Sequence, residues 1–265
     1  LSSGIDAEAF QCAHLVQPDL FIRAQGENIQ DIADSLTEAG LEYVKFEERT
    51  FALPNATKLD VLLPDSLNYR VQDLSSQRTG HFMEPAKYEY WWDCCAASGG
   101  KSILLAEKEK TIQLLVSDVR ESILQNLDER FRKAGIQKYQ KKIIDLLQNN
   151  DQILHHYEFD GIVLDAPCTG SGTWGRTPEM LSYFDEHRIG FFSKLQFSIA
   201  ENIVKYLKPG KPLIYITCSV FKEENEELVA KLTDTLPLKL DKMEVIKGYD
   251  DKADTMFVAR LIKEL

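Results

Sequence analysis

Two of the five cysteines in this chain stand where chemistry could be done. Cys168 lies in Asp165–Ala166–Pro167–Cys168–Thr169–Gly170–Ser171–Gly172 and Cys218 in Thr217–Cys218–Ser219; each segment follows a short apolar run, Ile162–Val163–Leu164 or Leu213–Ile214–Tyr215–Ile216. Read as strands, these runs put both thiols at strand ends. A thiolate is a strong nucleophile when a helix N-terminus or a cation lowers its pKa, and the helix expected from about Glu223 would offer Cys218 that setting. Two thiols beside a carboxylate, Asp165, are the equipment for methylation at carbon 5 of a pyrimidine. That carbon is too poor a nucleophile until a thiolate adds at carbon 6. An acidic group near ring nitrogen 3 then stabilises the developing charge, and a second group helps the adduct to break. Gly170 and Gly172 are expected to leave the first loop free to wrap a substrate. Cys12, by contrast, reads as a small apolar residue.

A second constellation, Asp93–Cys94–Cys95–Ala96–Ala97–Ser98–Gly99–Gly100–Lys101–Ser102, separates an apolar run from a helical stretch. Gly100, Lys101 and Ser102 match the second half of a phosphate-binding loop, but the first glycine of that pattern would fall on Cys95. The competing reading is a nucleoside cofactor without a triphosphate, which needs a carboxylate at the next strand end for the ribose hydroxyls. Asp118 closes Leu114–Leu115–Val116–Ser117–Asp118 and fills that place. A plain tight turn with a solvated Asp is the bland alternative, since a glycine turn alone is a weak motif. Asp93, Asp118, Asp145 and Asp165 stand at four successive strand ends, although each by itself could be a helix cap.

From Tyr88 onward the pattern supplies a frame for these groups. Strands at 88–93, 112–117, 140–144, 159–164 and 213–217 alternate with helices at roughly 101–108, 120–134, 146–150 and 186–207. A helix at 223–234 and antiparallel strands at 241–247 and 255–262 complete the chain. Such alternation predicts an α/β fold: a doubly wound, mostly parallel, seven-stranded sheet covered on both faces. Ligands of such sheets sit at the carboxyl ends of the strands. Residues 1–70 read as a separate small α/β unit, with a strand at 19–24, a helix capped by Asn28 and stopping at Gly40, and a strand at 41–46. The stretch Val71–Gln77 turns helical and opens a second domain, 71–265.

Composition bounds the rest. A chain of 265 residues, 44% hydrophobic, can fill one large domain and a small one. No apolar run is long enough to span a bilayer and no secretory leader opens the chain. Cysteines at irregular spacing make a poor disulfide framework. A cytoplasmic protein with no membrane partner is expected. No Cys/His set has zinc spacing, so no metal is expected. A start at Leu1 rather than Met is expected of a fragment or a processed form. The net charge of −11 sits poorly with a nucleic-acid partner. Residues 1–75 carry 13 acids against 5 bases and residues 76–265 carry 29 against 26. Arg130, Arg132 and Lys133 form a candidate basic patch, with a solvated helix face as the alternative.

The segments VQDLSSQ, DCCAASGGKS, SDVRESILQNLDERFRKAGI, FDGIVLDAPCTGSGTWGRTPE, LKPGKPLIYITCSVFKEENEELV and TMFVARLIK, spread over 71–262, resemble the Sun/Fmu and NOP/NSUN group of RNA 5-methylcytosine methyltransferases. The paired DAPC and TCS segments are the most specific part. The resemblance implies a Rossmann-like methyltransferase sheet binding S-adenosylmethionine and an RNA substrate, with 16S ribosomal RNA first and transfer RNA second; the sequence does not fix the oligomeric state, and a monomer is the expectation. It implies Cys218 as nucleophile and Cys168 as the group assisting product release. It further implies cofactor contacts from Cys95, Ala96, Ala97, Ser98, Gly99, Gly100 and Lys101, with Asp118, Asp145 and Asp165, and Lys101 reaching toward the active site. DNA cytosine methyltransferases use the Pro-Cys cysteine instead, here Cys168; the TCS segment favours the RNA assignment. A module that binds the cofactor without chemistry is the rival reading, opposed by the presence of both cysteines and Asp165. The small unit resembles the RNA-binding-like module preceding the catalytic domain in bacterial members. Two departures stand out: Ser98 replaces a usual Pro, which is expected to loosen the turn and weaken cofactor affinity, and Lys211 replaces a usual Gly.

Overall fold

Trp91 and Trp92 are adjacent in sequence, fully buried, and belong to core clusters on opposite faces of one strand. A strand that is apolar on both faces belongs in the interior of a covered sheet. The computed structural model describes residues 1–26, 29–63 and 67–265. Its N-terminal part carries α1 (Ala7–Ala13), β1 (Leu20–Ala24), α2 (Ile29–Glu38), β2 (Val44–Phe46), β3 (Thr50–Leu53), α3 (Leu59–Leu62) and β4 (Tyr69–Val71). The strands pair antiparallel in the order β2-β3-β1-β4, and Ile32 and Leu36 of α2 pack with Ile22, Phe51 and Leu53. Asn28, the expected cap of α2, lies outside the described residues.

Two features differ from the expected unit of 1–70. β4 runs across residue 70, so the helical stretch expected from Val71 begins later. Asp73 accepts hydrogen bonds from the backbone N–H of Ser75 (2.8 Å) and Ser76 (3.3 Å) and caps α4 (Leu74–Arg78). α1 stands away from the small sheet. Ser2 N donates to Val220 O (2.8 Å), Asn225 Nδ2 donates to Ser2 Oγ (2.8 Å), and Phe10 meets Tyr249 edge-on at 5.7 Å.

The alternation then runs β5 (Tyr90–Asp93), α5 (Gly100–Lys108), β6 (Gln113–Asp118), α6 (Glu121–Ala134), β7 (Tyr139–Ile143), α7 (Asp151–Leu154), β8 (Gly161–Asp165), α8 (His187–Val204), β9 (Pro212–Thr217) and α9 (Glu226–Thr235), closing with β10 (Leu238–Ile246) and β11 (Met256–Lys263). The sheet order is β10-β11-β9-β8-β5-β6-β7, parallel from β5 to β9, with β10 and β11 antiparallel. This is the seven-stranded, mostly parallel α/β sheet that the periodicity predicts. Trp92, Phe159, Ile162, Leu164 and Tyr215 build one core layer with α8 and α9. Trp91, Val163, Ile214 and Ile216 build the other with Leu105 of α5. The small sheet joins this body through Phe21, Ala52, Leu74 and Ala253 and through Arg23, paired with Glu107 at 2.6 Å.

Two expected helices shift. The one expected at 146–150 is a turn, because side-chain amides take the backbone partners that a helix would use. Asn150 Nδ2 donates to the carbonyls of Asp145 (2.8 Å) and Gln148 (2.9 Å), and Asn149 Oδ1 accepts from Asp151 N (2.9 Å), so α7 starts after them. α9 begins at Glu226 rather than 223, because Glu224 turns inward within the 3-10 turn Lys222–Glu224 and is fully buried.

Gly172 also departs from expectation. Its N–H donates to Cys218 O (2.8 Å) and its carbonyl accepts from Thr255 N (2.8 Å). A Cβ there would stand 1.9 Å from Thr255 O and 3.0 Å from Cys218 O. Gly172 therefore permits close backbone packing rather than loop freedom, while Gly170, at φ +73°, takes the left-handed turn. Gly172→Ala is expected to destabilise the fold by about 1–3 kcal/mol, as overpacking does, lowering the melting temperature by roughly 2–4 °C per kcal/mol. An unchanged thermal melt would contradict the close approach.

Candidate active site

β8 and β9 pair in parallel, with Asp165 opposite Ile216, so the loops leaving them start side by side. The Gly172–Cys218 bond and a bond from Val220 N to Ser171 Oγ (2.9 Å) keep the loops together. In consequence Cys168 Sγ lies 3.3 Å from Cys218 Sγ. The Cys168 thiol is raised well above the ordinary thiol value. Its hydrogen bond with Cys218 is the main cause, followed by burial and the nearby negative charges of Cys218 and Glu224. The helix expected from about Glu223 starts at Glu226, and its N-cap Asn225 accepts from Thr217 Oγ1 (2.6 Å) and donates to Ser219 O (2.8 Å), the residues on either side of Cys218.

Lys101 lies in the first turn of α5 and is buried. Its ammonium donates to Asp165 Oδ2 (3.0 Å) and to Ser76 Oγ (2.8 Å). Asp165, at the end of β8, keeps a side chain 32% exposed. Lys101 thus reaches the end of β8, the strand edge from which the Cys168 loop leaves. Ser76 was not singled out from its sequence; it is brought in by the cap at Asp73.

The turn from β5 into α5 is held by backbone bonds and one carboxylate. Ala96 N donates to Ser117 O (2.8 Å), Gly99 N to Ala96 O (2.8 Å), and Ala97 N to Asp118 Oδ2 (3.0 Å). Gly99 is left-handed at φ +82°, and a Cβ there would meet the Phe131 ring at 2.6 Å. Cys95 is half-buried in the same turn. Arg130 donates to Ser98 Oγ (2.5 Å) and Ser98 O (3.2 Å), so the hydroxyl standing where Pro is usual ties the turn to α6. Arg130 is therefore committed to this turn rather than to a basic patch. Lys133 is exposed and pairs with Glu129 at 3.1 Å, and Arg132 is exposed.

The four strand-end acids differ in setting. Asp118 accepts from Arg120 N (3.0 Å), Arg120 Nε (3.0 Å) and the Arg120 guanidinium tip (3.1 Å). Burial would raise it, but these bonds, the Arg120 charge and Ala97 N together hold it below the usual carboxylate value. Burial pushes Asp93 up to about 7 despite a bond from Ser102 Oγ (2.6 Å); the Asp165 and Asp118 charges act in the same direction and Lys101 opposes them. Among the described residues Asp93 Oδ1 has no hydrogen-bond partner. Asp93, Asp118, Asp165 and Lys101 thus form one electrostatic cluster. Asp145 is exposed, and its carboxylate accepts from Leu147 N (3.0 Å), the role of a local turn cap.

Among the described residues no group of three or more His, Cys, Asp or Glu is gathered in a way that could hold a metal ion. Sequence reasoning also passes over Glu224, 0% exposed beneath the cysteine loops. The acid-rich run Lys222–Glu227 looks solvated, and only tertiary contacts mark Glu224 out.

A family model described as 16S rRNA methyltransferase RsmB/F matches residues 81–262. Ribosomal RNA small subunit methyltransferase B of Shewanella oneidensis is 36% identical over 208 residues, 73% of this chain and 47% of that protein. The protein of the same name from Klebsiella pneumoniae is 31% identical over 239 residues, 86% of this chain and 55% of that one. The chain spans about half the length of these relatives. The crystal structure of a methyltransferase homolog protein from Pyrococcus horikoshii has a TM-score of 0.81 at 22% identity, covering 99% of this chain and 92% of that one, and bears on the fold alone. With the match running across the seven-stranded sheet and both cysteine segments, the chain belongs to the 16S rRNA methyltransferase RsmB/F family.

Proposed function

We propose that this chain methylates carbon 5 of a cytosine in RNA through a covalent bond between Cys218 and the ring. The observation that carries the reading is the pair of thiols 3.3 Å apart beside the Lys101–Asp165 pair. S-adenosylmethionine, when bound, supplies an electrophilic methyl group on its sulfonium. The turn 95–101 and Asp118 fit such a nucleoside: the backbone at Gly100 is open, with nothing nearer than 3.8 Å where a Cβ would point. Asp118 offers two carboxylate oxygens once the Arg120 side chain, 56% exposed, swings aside. Asp145 extends the same carboxyl edge. The Cys218 thiolate adds at carbon 6, and Asp165, braced by Lys101, stabilises the charge and the proton acquired at the ring-nitrogen edge. After methylation at carbon 5, ring nitrogen 3 releases its proton to solvent, Cys168 as the thiolate takes the proton on carbon 5, and the electron pair left behind forms the carbon 5–carbon 6 double bond as the carbon–sulfur bond breaks and the Cys218 thiolate leaves.

The substrate proposed first is 16S ribosomal RNA, in line with the description of the family and with relatives named for the small-subunit ribosomal RNA; transfer RNA is second. The working state proposed is a cytoplasmic monomer. No helix among the described residues is long and apolar enough to cross a membrane. The small unit 1–70 is proposed to face the RNA through shape more than charge, since Arg23 and Arg70 lie at the Glu107 carboxylate (2.6 and 3.6 Å).

Asp118→Ala should weaken S-adenosylmethionine binding, each lost charge-assisted hydrogen bond being worth about 1.5–3 kcal/mol at most. Calorimetric titration reads this directly, and unchanged affinity in a folded variant would remove Asp118 from the site. Cys168→Ala should accumulate a protein–RNA adduct that survives denaturing electrophoresis. Cys218→Ala should form no adduct and show no turnover, and the double variant should behave like Cys218→Ala because the steps are sequential. A stable adduct in Cys218→Ala and none in Cys168→Ala would move the nucleophile to the DAPC loop. RNA binding by this chain alone should be weak and should fall steeply between low and physiological salt, as expected for phosphate contacts on a chain of net charge −11. Tight, salt-insensitive binding in a filter assay would contradict the charge argument.

A further inference from the structure

A buried carboxylate is costly unless its lone pairs are met by donors. Glu224 meets this requirement with neutral partners. Oε1 accepts from Thr169 Oγ1 (2.6 Å) and Ser219 Oγ (2.6 Å), and Oε2 accepts from Thr169 N (3.0 Å) and Gln196 Nε2 (3.0 Å). Gln196 also donates to Pro167 O (2.9 Å), and the backbone carbonyl of Glu224 accepts from Tyr215 OH in β9 (2.6 Å). These donors come from the loop after β8, the loop after β9, and α8. Thr169 directly follows Cys168, and Ser219 directly follows Cys218. One carboxylate is therefore shared by the residues next to both thiols.

We propose that Glu224 is the positioning residue of this site, its carboxylate fixing the separation of the Cys168 and Cys218 thiols by holding the residue after each. Neighbouring parallel strands lie about 4.8 Å apart, so thiols 3.3 Å apart need loops that converge beyond the strand ends. The bond from Gly172 N to Cys218 O joins the loops on the far side of Cys168, and the Glu224 carboxylate ties them at the thiols themselves. Fully buried, Glu224 touches no substrate and acts through the two cysteines. The proposal rests on the two-cysteine chemistry above for its consequence in catalysis, but not for its geometry.

That separation allows a test without RNA. Under non-denaturing conditions, diamide takes two hydrogens from two close thiols onto its N=N bond, leaving one S–S bond and a hydrazine. Mass spectrometry after alkylation of the remaining thiols follows the Cys168–Cys218 bond, with exposed Cys12 as the internal alkylation control. Glu224→Gln keeps volume but turns an NH2 group toward donors; Thr169→Val removes the single Oγ1 donor. The wild type should form the bond readily, Glu224→Gln should form it at least about tenfold more slowly, and Thr169→Val should fall between, on the scale that ångström misplacements of reacting groups produce. Cys12 alkylation and S-adenosylmethionine affinity should stay unchanged, and with RNA kcat should fall while KM for the cofactor does not. Folded variants that oxidise at the wild-type rate would overturn the proposal, as would a wild type that forms no such bond. If Glu224→Gln does not fold, Thr169→Val decides. A wild type that oxidises as expected, with slowed variants, but methylates no RNA would sink the functional reading and leave the positioning role standing.

Discussion

The strand edge depends on one buried ammonium. Lys101 sits in the first turn of α5, where the helix dipole disfavours a cation, and only 6% of it is exposed. A buried charge that loses its partner is costly, and without Asp165 the ammonium would keep only the Ser76 hydroxyl. Its bonds to Asp165 and Ser76 therefore act as constraints on three elements at once: the glycine turn into α5, the end of β8, and α4. α4 is fixed in turn by Asp73. Arg176 bridges Asp73 (2.9 Å) and Asp254 (2.8 Å), and Asp254 neighbours Thr255, which bonds to Gly172 in the loop that carries Cys168. Burial, and then the Asp73 charge, push Asp254 up to about 7, with Arg176 opposing. The glycine turn and the thiol loops are thereby tied into one polar framework laid over the ends of an apolar sheet.

What is legible in the sequence follows from which interactions are local. The parallel strands announce themselves because Trp91–Trp92 and Ile162–Val163–Leu164 are apolar without alternation, and residues buried on both faces have to be so. The acids at strand ends, the glycine turn and both cysteines are legible because each sits at a fixed offset from such a run. Glu224 is not. In Lys222–Glu223–Glu224–Asn225–Glu226–Glu227 every position looks solvated, and the inward turn of Glu224 is decided by donors at 169, 196 and 219. Arg130 is hidden in the same way, since Arg132 and Lys133 beside it are ordinary surface cations and only Ser98, across the fold, distinguishes it. Gly172 looks like a flexible loop glycine, and the carbonyl it must clear belongs to Thr255. The helix expected at 146–150 fails for a local reason: Asn149 and Asn150 compete for backbone groups more effectively than their neighbours propagate a helix.

The two thiols are alike as residues and unlike in setting, and the difference carries a timing argument. Cys168 is held as a thiol chiefly by its hydrogen bond with Cys218 and then by burial, with the negative charge of Cys218 adding to both. In the proposed chemistry Cys218 is consumed first, becoming a neutral thioether on carbon 6 of the ring. That step removes the largest cause and one further cause of the raised Cys168 value, leaving burial and the Glu224 charge. In that chemistry the contact that holds Cys168 as a thiol is relieved when the adduct forms, the stage at which the proton on carbon 5 must go. A separation of 3.3 Å is short enough for one sulfur to govern the other in this way. The division of labour then needs no difference in residue type, only an order of events imposed by proximity.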